Sequence, residues 1–221
     1  MLIDRLLPKF DTTTIRRIRV AAEPHEVYAA LLQLDFTAIE AKSFVLHAFV
    51  GLRELPQRVR RLPNRLYRLY RGLRGRRLLP PETTSYRLYD LSELGDWVKL
   101  AEKDEEEFVF GLIGKFWQLH YGALPIHAGE FAAFDVPGYA KTACSFAVHR
   151  DGVGRSLVTY EVRTATTDAT ARRWFRWYWR SIAFCVAYLM QRALQAIKAE
   201  AEGHAIQHEP PPAPTMLDRT A

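Results

Sequence analysis

A change of hydrophobic period near residue 167 limits the class of fold that this sequence can form. Between residues 84 and 166, short stretches of alternating apolar and polar residues are separated by turn signals. Strands in such tandem order predict an antiparallel meander. From Thr167 and Asp168, which are favourable N-cap residues, to about Glu202 the apolar residues recur at three- and four-residue steps, which predicts one long amphipathic helix. The predicted strands of the meander span residues 86–91, 96–102, 107–119, 127–136, 139–149 and 155–165.

The first part of the chain predicts a strand followed by two short helices. In segment 12–21, Ile18 and Val20 fall on one side of an extended strand, while Arg17 and Arg19 fall on the other. Pro24 then stands at a first helical turn, and a second short helix is predicted around residues 44–48. The expected fold class is therefore α+β, with seven antiparallel strands, or six if residues 86–91 form an irregular edge.

The stretch 169–184 interleaves arginines with large aromatic residues, which in isolation suggests stacking and phosphate contacts of an RNA-binding protein. Its helical period predicts instead that most of the aromatics face a core while the arginines face water. A second stripe, Trp177, Phe184 and Tyr188, lies off the main apolar face and must cover another element, a partner or a membrane. The main apolar face is predicted to hold Ala171, Trp174, Phe175, Tyr178, Ile182, Cys185, Val186, Leu189, Ala193 and Ile197.

Composition places the chain among ordinary globular proteins. Its 221 residues are 48% hydrophobic and 25% charged, and the formal net charge of +6 permits an acidic partner without requiring one. Cys144 and Cys185 are too few for a disulfide scaffold and lack zinc-site spacing, so we expect both to be reduced and buried, with no metal and no cofactor. The sequence has no signal-peptide pattern and no apolar run long enough to span a bilayer, so a cytoplasmic location is expected.

Residues 53–77 form a strongly basic amphipathic segment, with ten arginines against one acid, Glu54. One interpretation is a lid helix whose leucine and tyrosine face packs on the sheet opening. Another adds contact with an anionic membrane, and hence peripheral association, through Arg60, Arg61, Arg65 and Arg68. Nucleic acid is the least favoured partner, because no recognised binding module accompanies the charge.

The chain resembles the START-like (SRPBCC) superfamily of polyketide cyclase/dehydrase and lipid-transport proteins, and within it a bacterial subgroup. The resemblance is carried by "IRVAAEPHEVYAALLQLD" at 18–35, "EFVFGLIGKFW" at 107–117, "FAAFDVPGYAKTACSFAV" at 131–148 and "LVTYEVRTATTDATARRWFRWYW" at 157–179. It implies a helix-grip fold, in which a curved sheet wraps around the last helix and leaves a hydrophobic cavity. We therefore expect a single domain over residues 1–203, with the Arg-rich segment 53–77 as a helical insertion and a disordered, proline-rich tail at 204–221.

What the resemblance implies about function is an apolar ligand, such as a lipid or polyketide, held in that cavity by a carrier or binding protein. An alternative is a cyclase- or dehydratase-type enzyme, and a second is a basic adaptor that binds an anionic surface through residues 53–77. The superfamily includes carriers and enzymes, so the fold leaves this choice open. The expected ligand-contacting residues are Trp117, Glu130, Thr142, Cys144, Phe146, Thr159, Trp174, Tyr178 and Ile182.

Candidate catalytic groups are few, and no standard catalytic motif is present in the sequence. Alternation puts Thr159, Glu161 and Arg163 on one face of the last strand, and Val158, Tyr160 and Val162 on the other. If that face lines the cavity, the Glu–Arg pair could orient a polar ligand head or act as an acid/base; otherwise it is a surface ion pair. His127 and Tyr121 are further candidates, as a base and as a hydrogen-bond donor to a carbonyl.

Overall fold

A computed structural model describes residues 1–35, 88, 97–118 and 122–208, and it describes side chains as far as residue 203. In order along the chain, the elements are α1 (Leu2–Leu6), β1 (Thr12–Val20), α2 (Pro24–Leu32), β2 (Val98–Lys103), β3 (Glu107–Gly114), α3 (Ala128–Phe131), β4 (Ala140–Arg150), β5 (Ser156–Thr166) and α4 (Ala169–His208). The described residues thus form an α+β fold. The predictions for the second short helix, residues 53–77, the strand at 86–91, Tyr121 and the tail beyond residue 208 lie outside them.

The described strands form one five-stranded antiparallel sheet in the order β1-β5-β4-β3-β2. Strands β2 to β5 are the predicted meander, and β1 is added beside the last strand, with Thr12 opposite Thr164 and Val20 opposite Ser156. The β4–β5 hairpin closes through Gly152 and Gly154, which both have positive φ angles that favour glycine. The predicted strands of the meander that fall within the described residues are therefore present, with one exception.

The exception is the strand predicted over residues 127–136, and that prediction is wrong. These residues form the short helix α3 and a following loop. The backbone N–H of His127 donates to the Glu130 carboxylate at 3.1 Å, and this contact caps the first turn. Phe131 is fully buried and Phe134 partly buried, so a three-residue spacing of apolar side chains replaces the two-residue spacing of a strand.

The two faces of the sheet have different coverings, and we call them the inner and the outer face. The inner face packs on α4 and α2, whereas the outer face packs under α1 and α3. Side chains alternate between the faces along each strand. The inner face includes Val20, Phe108, Phe110, Cys144, Phe146, Val158, Tyr160 and Val162, and the outer face includes Val109, Ile113 and Ala143, which pack with Ile3, Leu7 and Phe131.

The start of α4 is fixed by two aspartates. Asp168 Oδ1 accepts hydrogen bonds from the backbone N–H groups of Thr170 and Ala171 at 2.7 and 2.9 Å, as an N-cap residue does. Asp11, just before β1, accepts from Arg172 at 2.6 Å and from the backbone and hydroxyl of Thr166. Burial acts to raise the pKa of Asp11, but these hydrogen bonds outweigh it and hold the pKa below its usual range.

The long helix α4 continues to His208 rather than ending near Glu202, so the backbone of residues 204–208 is helical. Phe175, Ile182 and Ile197 of the predicted apolar face are buried at helical spacing, and Met190 and Leu194, which were not assigned to that face, are buried beside them. Trp174 is a correction to that pattern. Its side chain is 53% exposed, because it lies at the edge of the face that Phe175 and Ile182 define. None of the helices within the described residues is long and apolar enough to cross a membrane.

Candidate functional site

An array of aromatic rings crosses the inner face of the sheet. The Phe146 ring stacks on that of Tyr160, with centroids 3.9 Å apart, and on that of Phe110 at 6.2 Å. The Trp97 ring, just before β2, lies 5.2 Å from Phe110. The array follows from the strand register, because Phe108 pairs with Phe146, and Phe146 pairs with Tyr160, on three adjacent strands. These rings make an apolar floor beneath α4.

Several polar groups lie within this apolar floor. The Cys144 thiol and the Tyr160 hydroxyl lie among these rings, and burial raises the pKa of Cys144 to about 12. Burial likewise raises the pKa of Tyr160 well above its usual value, with Cys144 adding to the effect. Both groups therefore stay protonated and neutral near pH 7. They can take part in hydrogen bonds with a bound molecule, but neither is a thiolate nucleophile or a phenolate base.

A row of three threonines extends the polar part of the inner face. Thr12, Thr164 and Thr142 are opposite one another on β1, β5 and β4, and the hydroxyls of Thr142 and Thr164 are 2.9 Å apart. The buried Thr12 hydroxyl has no hydrogen-bond partner among the described residues. A buried hydroxyl without a partner is costly. This row therefore contains one hydroxyl whose hydrogen-bonding capacity is unmet among the described residues.

Where α4 begins, a second apolar cluster covers the inner face, and we call it the helix-start cluster. Its buried part consists of Leu112, Phe116, Ala140 and Phe175. The rings of Phe175 and Trp179 stack at 5.7 Å. Trp97, Trp117, Ala123, Tyr178 and Trp179 pack against the buried part and remain partly exposed. Trp97 also packs against the fully buried residues under the second half of α4, so it joins the two regions.

The structure brings six of the nine predicted ligand-contacting residues to the side of the sheet that faces α4. The other three lie elsewhere. Thr159 points to the outer face, Glu130 is exposed and caps α3, and Trp174 is exposed at the edge of α4. The six are Trp117, Thr142, Cys144, Phe146, Tyr178 and Ile182.

Glu161 and Arg163 do form the predicted ion pair, with Arg163 Nε donating to Glu161 Oε1 at 2.6 Å. The pair lies on the outer face, opposite to α4, and both side chains are buried. Arg163 also bonds Asp4 at 2.8 Å, and the Arg163 hydrogen bond is the main reason that the pKa of Asp4 is lowered. For Arg163, burial acts to lower the pKa, but its bonds to Glu161 and Asp4 outweigh it and raise the pKa. The pair thus ties α1 to the sheet, away from any ligand bound under α4.

Glu107 gives α1 a second attachment on the same face. Its carboxylate accepts hydrogen bonds from the backbone N–H groups of Leu2 and Ile3 at 2.6 and 3.2 Å, and from the Ser145 hydroxyl at 2.8 Å. A carboxylate at a helix N-terminus satisfies N–H groups that the helix itself cannot pair. The buried charges of the outer face are therefore accounted for by the anchoring of α1.

An open groove of about 340 Å³ lies beside α1, between residues 6–9 and the loop after α3. Lys141 lines it and donates from Nζ to the Ala132 carbonyl at 2.9 Å, and burial lowers the pKa of this lysine. Lys9 and Asp135 also line the groove. His127, the remaining catalytic candidate within the described residues, is exposed at the start of α3.

No pattern in the sequence singled out Trp97, Phe110, Tyr160 or the Thr12–Thr164 pair as site residues. The alternation of Val158, Tyr160 and Val162 places Tyr160 on the apolar face of β5. An amphipathic helix covers the more apolar face of a sheet, and that signal favours Tyr160 over Glu161 as an inner residue. The threonine row carries no such signal, because it depends on the register between strands far apart in sequence.

No protein-family model matches the sequence, and no curated protein matches it. Among solved structures, TTHA0849 from Thermus thermophilus aligns with 90% of this chain and 100% of its own, at 8% sequence identity and a TM-score of 0.27. A likeness at that TM-score carries no argument about fold or function.

Proposed function

We propose that this chain is a START-like binding protein that holds an apolar small molecule, such as a lipid or polyketide, between the inner face of its sheet and α4. Its role is to bind or carry that molecule. The helix-grip arrangement, in which the sheet wraps around α4, is part of the proposal.

The observation that carries the proposal is the incomplete burial of the helix-start cluster. Under the second half of α4, Met190, Leu194 and Ile197 are fully buried against the sheet. Under the first half, Trp117, Tyr178 and Trp179 pack on the same face of the sheet and remain partly exposed. Binding sites for small molecules are mostly apolar and aromatic with a few polar groups. An apolar ligand at this position covers aromatic surface that the described residues leave open.

The chemistry of the inner face favours binding over catalysis. On the inner face, Cys144 and Tyr160 have raised pKa values and stay neutral, and the threonine hydroxyls are hydrogen-bonding groups only. Arg16, on the same face of β1, donates to the Ile15 carbonyl at 2.9 Å. The charged candidates Glu161 and Arg163 belong to the outer face. This distribution supports a carrier over the cyclase- or dehydratase-type enzyme. Basic adaptor binding through Arg60, Arg61, Arg65 and Arg68 remains a prediction for residues outside the described part of the chain.

Native mass spectrometry of the freshly purified chain, followed by extraction and identification of bound molecules, tests the proposal. We expect one apolar molecule per chain, either retained from the host or taken up from a mixture of fatty acids and polyketides. Ile182, which is buried on α4 between the two apolar regions, provides the test variant. Ile182→Trp adds volume at the expected ligand position and should remove most of the adduct.

Val153→Trp is the matched control, because Val153 lies in the β4–β5 hairpin and is 92% exposed. This variant should bind as the wild type does. Tyr178→Ala is a second test variant, in case Ile182→Trp disturbs folding, and far-UV circular dichroism monitors both. A wild-type chain that stays empty with every compound would contradict the proposal, and so would an adduct that all three variants keep.

A further inference from the structure

The outer side of α4, away from the sheet, carries large aromatic side chains that the described residues leave exposed. Trp177 is 67% exposed and Phe184 is 72% exposed, while Trp174 is exposed at one border. Trp177 and Phe184 are seven residues apart and Trp174 precedes Trp177 by three, so all three follow one line along the helix. We call Trp174, Trp177 and Phe184 the aromatic stripe. Exposed apolar patches of this kind mark surfaces that meet a partner or a membrane.

A row of positive charge borders the aromatic stripe. Arg173, Arg176 and Arg180 are all exposed and fall at helical spacing beside it, and we call them the arginine row. The Arg180 guanidinium lies 5.7 Å from the centroid of the Trp177 ring, within cation–π distance. Residues 169–199 contain no Asp or Glu. This side of α4 is therefore complementary to a negatively charged surface.

The same charge argues against two other occupants of this surface. The segment 53–77, with ten arginines and one glutamate, has the same sign of charge as the arginine row. A second copy of this chain, docked through the same surface, would also bring arginines against arginines. Like charges at such contacts are unfavourable. Neither the chain's own basic segment nor a symmetric dimer offers charge complementarity here.

The distribution of charge along α4 separates a bilayer from a nucleic acid. Residues 181–191, which include Phe184, contain no charged residue at all. A nucleic-acid groove needs basic groups along the whole track of the backbone. A bilayer interface accepts an uncharged aromatic stretch, because apolar side chains enter the boundary between headgroups and acyl chains while arginines stay with anionic headgroups. Tryptophan is itself favoured at that depth.

We propose that the first half of α4 docks on an anionic lipid bilayer, lying along its surface. In this arrangement Trp177 and Phe184 enter the interface and the arginine row contacts lipid phosphate and carboxylate groups. The inference rests on the outer side of α4 and not on the proposed ligand site, which lies on the opposite side of the same helix.

Vesicle flotation with the full chain tests the docking surface, using phosphatidylcholine vesicles with and without 30% phosphatidylserine at low salt. We expect binding to the phosphatidylserine vesicles only. Trp177→Ala combined with Phe184→Ala should weaken binding by roughly tenfold or more for each side chain. Replacing the arginine row with glutamine should weaken it on the order of a hundredfold, from about 1 kcal/mol for each basic residue.

Matched controls come from exposed residues on other surfaces of the described chain. Val153→Ala removes an exposed apolar side chain, and Arg5, Arg17 and Arg155 changed together to glutamine remove three exposed charges. Both controls should bind vesicles like the wild type. Circular dichroism melts should agree for all variants, because every changed side chain is exposed.

Three results would overturn the docking proposal. In the first, the wild type fails to bind phosphatidylserine vesicles. In the second, the α4 variants bind as tightly as the controls, and affinity is lost only when Arg60, Arg61, Arg65 and Arg68 are substituted. In the third, the α4 substitutions abolish binding to single-stranded DNA, or self-association, while vesicle binding is unchanged. None of these results bears on the ligand site, because its own test measures a bound small molecule.

Discussion

Replacing Arg163 with methionine is expected to lower the free energy of unfolding by about 3–5 kcal/mol, the range seen when one partner of a buried ion pair is removed. The Arg163 side chain is 8% exposed, and it donates to Glu161 at 2.6 Å and to Asp4 at 2.8 Å. Without the guanidinium, Glu161, which is 4% exposed, keeps the Thr13 hydroxyl at 3.3 Å as a remaining donor. A carboxylate left in that position is buried and without its counter-charge.

The size of this loss makes it measurable. A domain of about this length is typically stable by about 5–15 kcal/mol, so the variant gives up a large part of its stability. At about 2–4 °C of melting temperature for each kcal/mol, the loss corresponds to about 6–20 °C. Methionine keeps much of the packing volume of the arginine stem, so the effect reports mainly on the charge.

Urea unfolding at pH 7, followed by far-UV circular dichroism, provides the measurement. The double variant Arg163→Met with Glu161→Leu removes both charges and should recover most of the lost stability. Arg17→Met, on the exposed side of β1, is the control and should change stability by less than about 0.5 kcal/mol. A single variant that loses less than about 1 kcal/mol, or a double variant no more stable than the single one, would refute the reasoning.

Three further predictions concern pH, thiol reactivity and a close approach between strands. Asp11 has a lowered pKa in the folded chain, so the unfolded chain binds more protons and the free energy of unfolding should fall as the pH drops below about 4. Asp11→Asn should flatten this fall in acid titrations followed by circular dichroism. An unchanged profile would count against the prediction. Cys185, which is partly exposed, should react with a thiol reagent at pH 8, whereas Cys144, buried with a pKa of about 12, should react only after unfolding. Rapid reaction of both thiols in the native protein would contradict this prediction. A Cβ at Gly111 would lie 2.5 Å from a backbone carbonyl oxygen of β4, so Gly111→Ala should lower the free energy of unfolding in urea by about 1–3 kcal/mol. A Cβ at Gly129 meets nothing within 4 Å, so Gly129→Ala is the control and should be nearly neutral. Equal stabilities of the two variants would contradict the prediction.

Much of the fold could be predicted from the hydrophobic period of the sequence, because that period indicates the type of each helix or strand separately. The alternation in β5 correctly separated Val158, Tyr160 and Val162 from Thr159, Glu161 and Arg163. It did not indicate that the polar side is itself buried. The cover over that side is α1, a helix of five residues whose N–H groups are held by Glu107, about a hundred positions along the chain. No local pattern near residues 2–6 indicates that contact.

Residues 127–136 show the opposite failure, in which a local pattern suggested a strand that tertiary contacts replace. Phe131 and Phe134, which are three residues apart, both pack in the apolar cluster on the outer face of the sheet. Short apolar stretches fit a strand and a helical turn almost equally well. Trp174 is similar, because helical spacing alone does not reveal how wide a strip of α4 the sheet can cover.

The position of β1 beside β5 has a consequence for how the chain folds during synthesis. Thr12 lies opposite Thr164, so the hydrogen bonds of the first strand need residues made about 150 positions later. At translation rates of about 5–20 residues per second, roughly eight to thirty seconds pass before the partner strand emerges. Strands β2 to β5 pair between near neighbours and can assemble first. During that interval the backbone N–H and C=O groups of β1 are unpaired. Unpaired strand edges of this kind can pair with other chains and aggregate, and chaperones protect them.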